Sequence, residues 1–338
     1  MLAFYNEHHA AGTQHPPGAV ASVLAQFERR GLGRIVTPHG VPLVSLERVH
    51  TPRYLHFLRG AWSEWLATDP SNAGKEALPS AWPVRGMRDD VEPADFQARL
   101  GLFVSDARTP LTSRTWTAAK TGADCAINAA HALRVGERGS FALTSPPGHH
   151  AGADWAGGGG FLNNAALAAQ HLRDDGLQRV AILDLGLHHG HGTQQIFYGR
   201  SDVLFVSIHL DPHGAYPFYA GYADETGTGA GLGYTMNLPL AAGNGSSGGS
   251  SGPPWFAALE TACVKLAMFR PEALVVSLGG GLGTAFGLQG GDFLRIGERI
   301  AHLGLPTAFM FEDGHGDNAA PAPGLDTVNV LEGFETAA

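Results

Sequence analysis

Three features of the chain predict an α/β fold built on one mainly parallel sheet flanked by helices. Short apolar runs, Phe141 to Thr144, Val180 to Leu185, Val203 to His209, Ala273 to Leu278 and Pro306 to Phe311, read as strands buried on both faces. Ala-rich helical stretches, notably Trp116 to Leu133 and Leu162 to Arg173, lie between them, and alternation of this kind predicts helices packed on both sides of the sheet. Loops rich in His and Gly follow several of these strands, where a parallel sheet delivers its functional side chains.

The chain has 338 residues, 44% of them hydrophobic, enough for a large core in one large α/β domain or two small ones. The strand and helix signals continue along it without a repeat, so one domain over residues 1–338 is expected. Gly243-Asn-Gly-Ser-Ser-Gly-Gly-Ser-Ser-Gly252 is a flexible linker by composition. It joins a strand-like segment to a helix opening near Pro254 and reads as a surface loop inside that domain.

A formal net charge of −9 argues against a nucleic-acid partner, which requires clustered Lys and Arg. No apolar run approaches the ~18 residues of a membrane helix, so no membrane partner is expected. Two cysteines, Cys125 and Cys263, make no disulfide framework, and the first residues read without the basic start of a secretory signal. A cytoplasmic setting is expected. A small-molecule ligand fits the loop chemistry below, and a homodimer is left open.

That chemistry centres on Val180-Ala-Ile-Leu-Asp-Leu-Gly-Leu-His-His-Gly-His-Gly-Thr193, a buried strand running into a tight loop. Ser145-Pro-Pro-Gly-His-His-Ala151 and Gly157-Gly-Gly-Gly-Phe-Leu-Asn-Asn164 add a second pair of histidines and a glycine run. Imidazoles exchange protons near neutral pH, which suits general acid and base work. A Gly-His-His loop taken alone is as readily a polar turn with solvated histidines.

Together these segments resemble the histone deacetylase and acetylpolyamine amidohydrolase family, closest to the acetylpolyamine amidohydrolase branch. Further matches follow in order over nearly the whole chain: His50-Thr-Pro-Arg-Tyr-Leu-His-Phe-Leu58, Ser207-Ile-His-Leu-Asp-Pro212, Gly221-Tyr-Ala-Asp-Glu-Thr-Gly-Thr-Gly-Ala-Gly231 and Val275-Val-Ser-Leu-Gly279. The resemblance implies an arginase-deacetylase-like fold with a sheet of about eight strands. It also implies a zinc-bound water that attacks an acetyl-lysine or acetylpolyamine amide.

Carried over position by position, the resemblance makes His149 and His150 the tandem general base and acid that hold the attacking water. Asp184 matches the carboxylate behind the first, and His191 stands behind the second, where the family has Asp or Asn. The family's zinc ligands are Asp, His and Asp, the first two in the pattern Asp-x-Asp-x-His-His-Gly-x-Gly. His188 matches the His, but Gly186 occupies the first Asp position and Gly281, in Leu278-Gly-Gly-Gly281, the second. Glycine has no side-chain donor, and an open catalytic zinc needs about three protein ligands.

Gly159 and Gly160 stand where relatives carry an aromatic channel wall and a cysteine. His315, in Glu312-Asp-Gly-His315, stands where they carry a tyrosine whose hydroxyl polarises the scissile carbonyl. A monovalent-cation site is implied near Asp184, His188 and Ser207, so K⁺ is expected near Asp184 and Ser207, although Gly186 lacks the carboxylate that also serves it.

Three readings follow. The first is a non-catalytic or repurposed deacetylase fold with a degenerate zinc site and a different small ligand. The second is an amidohydrolase whose metal is held by His188, His315 and either His149 or His150, a set that suits Zn, Fe, Ni or Cu. It requires His315 within ~10 Å of His188. The third is a partner-binding subunit. All these residues are expected to cluster at the carboxyl ends of the strands, with the glycines either opening the cavity or letting it collapse inward.

Overall fold

The computed structural model describes residues 1–7, 19–84, 86, 88–242, 252–312 and 324–337. The strands are β1 (Leu2–Phe4), β2 (Arg34–Val36), β3 (Gly139–Ala142), β4 (Val180–Leu185), β5 (Val203–Leu210), β6 (Thr235–Leu240), β7 (Ala273–Leu278) and β8 (Thr307–Phe311). They form one sheet in the order β2-β1-β3-β8-β7-β4-β5-β6, and every pairing is parallel. This is the arginase-deacetylase arrangement that the resemblance implies.

The principal helices are α1 (Ala19–Arg29), α2 (Leu43–Leu46), α3 (Pro52–Thr68), α4 (Phe96–Phe103), α5 (Thr115–Arg134), α6 (Asn164–Asp174) and α7 (His191–Phe197). They continue with α8 (Gly252–Phe269), α9 (Leu282–Phe286), α10 (Gly290–Ala301) and α11 (Leu325–Thr336). None of the described helices is long and apolar enough to cross a membrane. Nearly all of the glycine-serine run, residues 243–251, lies outside the described residues, and Gly252 opens α8.

Two cores cover the two faces of the sheet. One holds Val180 and Ile182, Val203 and Phe205, and Ala273 and Val275, packed under α3, α4, α5 and α6. The other holds Ala181, Leu183 and Leu185, Leu204 and Val206, and Leu274 and Val276, packed under α1, α8, α10 and α11. The many alanines of α5 and α6 let those helices sit close to the sheet. Side chains alternate between faces along a strand, so Asp184, Ser207 and Ser277 fall on the α5–α6 face. Asp184 pairs in register with Ser207 on one side and Ser277 on the other. All three are fully buried. The sheet thus ends in a polar row beneath the loops that leave its carboxyl edge.

Candidate functional site

Loops after β3, β4, β5, β7 and β8 meet at that carboxyl edge, where ligand sites of open α/β sheets form. The loop after β3 carries His149 and His150. Its backbone is pinned from β8: the Glu312 carboxylate accepts hydrogen bonds from the amides of Gly148 and His149, the second at 3.2 Å. From β4 come Asp184, Gly186 and His188, and α7 begins at His191.

His149 Nδ1 lies 3.1 and 3.3 Å from the two Asp184 oxygens, the pairing that the resemblance implies. Burial opposes a charge on His149, but the facing Asp184 carboxylate outweighs it and the pKa is raised. The His149 and His150 rings lie 4.0 Å apart between centroids, tilted by 40°. His150 Nδ1 in turn lies 3.3 Å from His191 Nδ1, so His191 does stand behind the second histidine. Burial, helped by the nearby His149, lowers the His191 pKa to about 4, so at neutral pH it is an uncharged partner where the resemblance implies Asp or Asn. Burial also raises Glu312 to about 7, against the pull of His149.

His188 is half-buried at the rim, with its ring centroid 5.9 Å from that of Tyr216. The glycine positions differ from one another in physical terms. At Gly186 an added Cβ would meet His149 Cε1 at 2.5 Å and Asp184 Oδ1 at 3.0 Å, so that space is filled by the imidazole. Gly281 caps α9 at φ 81°, in the left-handed region. A Cβ on Gly159 would meet nothing within 4 Å, whereas one on Gly160 would lie 2.4 Å from the Pro147 carbonyl oxygen. Gly160 is therefore a point of close backbone approach, not a lining position of an opened pocket. The glycines have not uniformly widened the site: the chain has closed in at Gly186 and Gly160, whereas Gly159 adjoins open space.

His315 lies outside the described residues, so the distance that would join it to His188 does too. Among the described residues, no three metal-ligating side chains bring their donor atoms within 4.8 Å of one another at this site. Among the described residues, His188 is the one side chain at the ligand positions that the resemblance implies, and alone it does not supply the about three protein ligands of an open catalytic zinc.

Sequence reasoning missed Tyr216, from the loop after β5. Its ring stands edge-on to His150 at 5.1 Å, His188 at 5.9 Å and His191 at 5.7 Å, and so roofs the imidazole cluster. Its hydroxyl donates to Asp106 Oδ2 at 3.2 Å, and burial beside that carboxylate raises its pKa. Asp106 was also missed. It accepts from the Gly158 amide at 2.6 Å and from Thr109 Oγ1 at 2.9 Å, and Thr109 accepts from the Gly159 amide at 2.9 Å. These bonds hold the glycine run in place. The one local signal was the turn in which Asp106 Oδ1 accepts from the Arg108 amide at 2.7 Å, a pattern that Asp-x-x-Thr segments favour.

A sheet of this topology with paired histidines at its carboxyl edge defines the histone deacetylase class. Residues 14–282 match the histone deacetylase domain, and the chain belongs to that family. It is 45% identical over 328 residues to acetylpolyamine amidohydrolase 1 of Pseudomonas aeruginosa, covering 95% of this chain and 91% of that protein. It is 40% identical to the acetylpolyamine amidohydrolase of Mycoplana ramosa over 92% and 89% of the two chains. The crystal structure of acetylpolyamine aminohydrolase from Burkholderia pseudomallei superposes with a TM-score of 0.89 at 34% identity, covering 100% of this chain and 99% of that one.

Proposed function

We propose that this chain keeps the deacetylase scaffold but not ordinary zinc-dependent deacetylation, and that its histidine-lined site is non-catalytic or binds or converts another small ligand. The observation that carries this reading is at Gly186: the carboxylate position has no donor, and the His149 ring stands 2.5 Å from where a Cβ would lie. Gly281 supplies no donor at the other position. A lone imidazole, His188, is a poor zinc site, and without a metal the family's means of activating water is missing.

His149, His150, Asp184 and His191 then serve as a proton-holding and hydrogen-bonding cluster. The relatives' names make an acetylated polyamine the first ligand to test. The in-register row of Asp184 and Ser207 supports the part of a K⁺ site that does not need a carboxylate at residue 186. Two buried free cysteines support a reducing, cytoplasmic setting.

The test is metal content after dialysis into metal-free buffer, together with hydrolysis of acetylputrescine. Well below one zinc per chain and hydrolysis near the uncatalysed rate are expected. Stoichiometric zinc that survives dialysis, with brisk amide hydrolysis, overturns the reading in favour of a site completed by His315.

A further inference from the structure

At the opposite end of the sheet, α5 and α6 end side by side and present His131, His171 and Asp175. One donor atom from each lies within 4.8 Å of the other two, the one such trio of metal-ligating side chains among the described residues. His131 Nδ1 is 3.8 Å and His171 Nε2 3.5 Å from Asp175 Oδ2. Both exceed hydrogen-bonding distance, so the three groups face one another without closing on one another. A tetrahedron drawn around a zinc at ~2.0–2.1 Å has edges of ~3.3 Å, close to these separations. We propose that His131, His171 and Asp175 form a second, surface cation site that takes a borderline divalent metal of the zinc type and staples α5 to α6.

Three further observations point to a ligand there. His171 Nε2 is buried and has no hydrogen-bond partner. Among the described residues the carboxylate of Asp175 pairs with no Arg or Lys, whereas that of its neighbour Asp174 is held by Arg48 at 2.8 and 2.9 Å and by Gln170 at 2.7 Å. His131 sits in the last turn of α5 and Asp175 caps the end of α6, so two helix carboxyl termini direct partial negative charge to the spot.

The groups facing the trio are of both signs. Arg134 of α5 donates to the backbone oxygen of Asp175 at 3.1 Å, and its charge opposes a cation, while Asp174 favours one. Two imidazoles and one carboxylate select Zn²⁺, Ni²⁺ or Cu²⁺ over Mg²⁺ or Ca²⁺. This site is independent of the histidine cluster. α6 leads into the start of β4, and the six residues of that strand separate the two by roughly 20 Å.

The experiment is Zn²⁺ titration of the full chain at pH 7.5, read as bound equivalents and as the rise in Tm, since a ligand bound only by the folded state stabilises it. The wild type is expected to gain Tm with Zn²⁺ and not with Mg²⁺. His131→Ala and Asp175→Asn, at positions exposed enough to keep the fold, should each lose one equivalent and most of the Tm rise. His188→Ala should keep both, which separates this site from the pocket. The wild-type number of equivalents in the His131→Ala and Asp175→Asn proteins, or an equal response to Mg²⁺, overturns the proposal. Because His131→Ala removes this site and leaves the pocket intact, zinc retained through dialysis by that variant bears on the pocket alone.

Discussion

At the scale of single residues, the site turns on what stands beside Gly186. Restoring both family carboxylates with Gly186→Asp and Gly281→Asp requires the His149 ring to move from 2.5 Å and requires an aspartate at φ 81°. The double variant is expected to bind more zinc than the parent and to be less stable by about 1–3 kcal/mol, the usual cost of a left-handed non-glycine residue. Zinc content and chemical denaturation measure the two effects, and unchanged zinc content would count against the assignment of residues 186 and 281. Asp106→Ala leaves the Gly158 amide and the Tyr216 hydroxyl without their acceptor, and a loss of about 2–3 kcal/mol is expected. The same denaturation curves would refute it by showing no change. Much of this site was legible in the chain because His149, His150, Asp184, His188 and His191 fall in short segments whose order carries the pattern. Tyr216 and Asp106 were not, because they meet across 110 residues and only the folded loop after β5 brings them together.

At the scale of elements, sequence and structure agree where the pattern is long. β4 and β7 have the predicted bounds, α5 runs one residue further than predicted at each end, and α6 starts two residues later and ends one residue later than predicted. β1 and β2 were not predicted: three residues each are too few for an apolar run to declare itself, and pairing within the sheet rather than local propensity makes them strands. The packing of α10 on α11 was equally hidden. Gly297 and Gly333 let the two backbones touch, since a Cβ on Gly297 would lie 2.0 Å from the Val330 carbonyl oxygen and one on Gly333 2.0 Å from that of Leu294. Alanine favours helices in isolation, yet Gly297→Ala is expected to lower stability by about 1–3 kcal/mol because the obstacle is rigid backbone. A raised Tm in that variant would mean that the two helices part at little cost.

At the scale of the whole molecule, the buried histidines set the response to pH. His50 is enclosed beneath the site, its Nε2 accepting the Asn163 amide at 2.9 Å, and burial lowers its pKa to about 4. His191 is lowered to about 4, and His171, His189 and His209 are also lowered, each chiefly by burial. Unfolded, these five side chains take up protons near pH 6.5, whereas in the folded protein they resist doing so. The stability they contribute is therefore complete above pH 6.5 and is lost as pH falls from 6.5 towards 4. For His50 alone the difference is on the order of 3 kcal/mol. Glu312, raised to about 7, and His149, raised in direction, have the opposite sign: the Glu312 contribution is lost as pH rises from 4.5 to about 7, and that of His149 as pH rises beyond 6.5. Five groups against two make the acid limb the steeper, with greatest stability expected near pH 6.5–7. Urea denaturation from pH 4.5 to 8 measures this, and stability that holds level or rises below pH 6.5 would contradict it. His50→Gln offers an uncharged oxygen to the Asn163 amide, so that variant should be less stable at pH 7 and should lose less than the wild type on acidification.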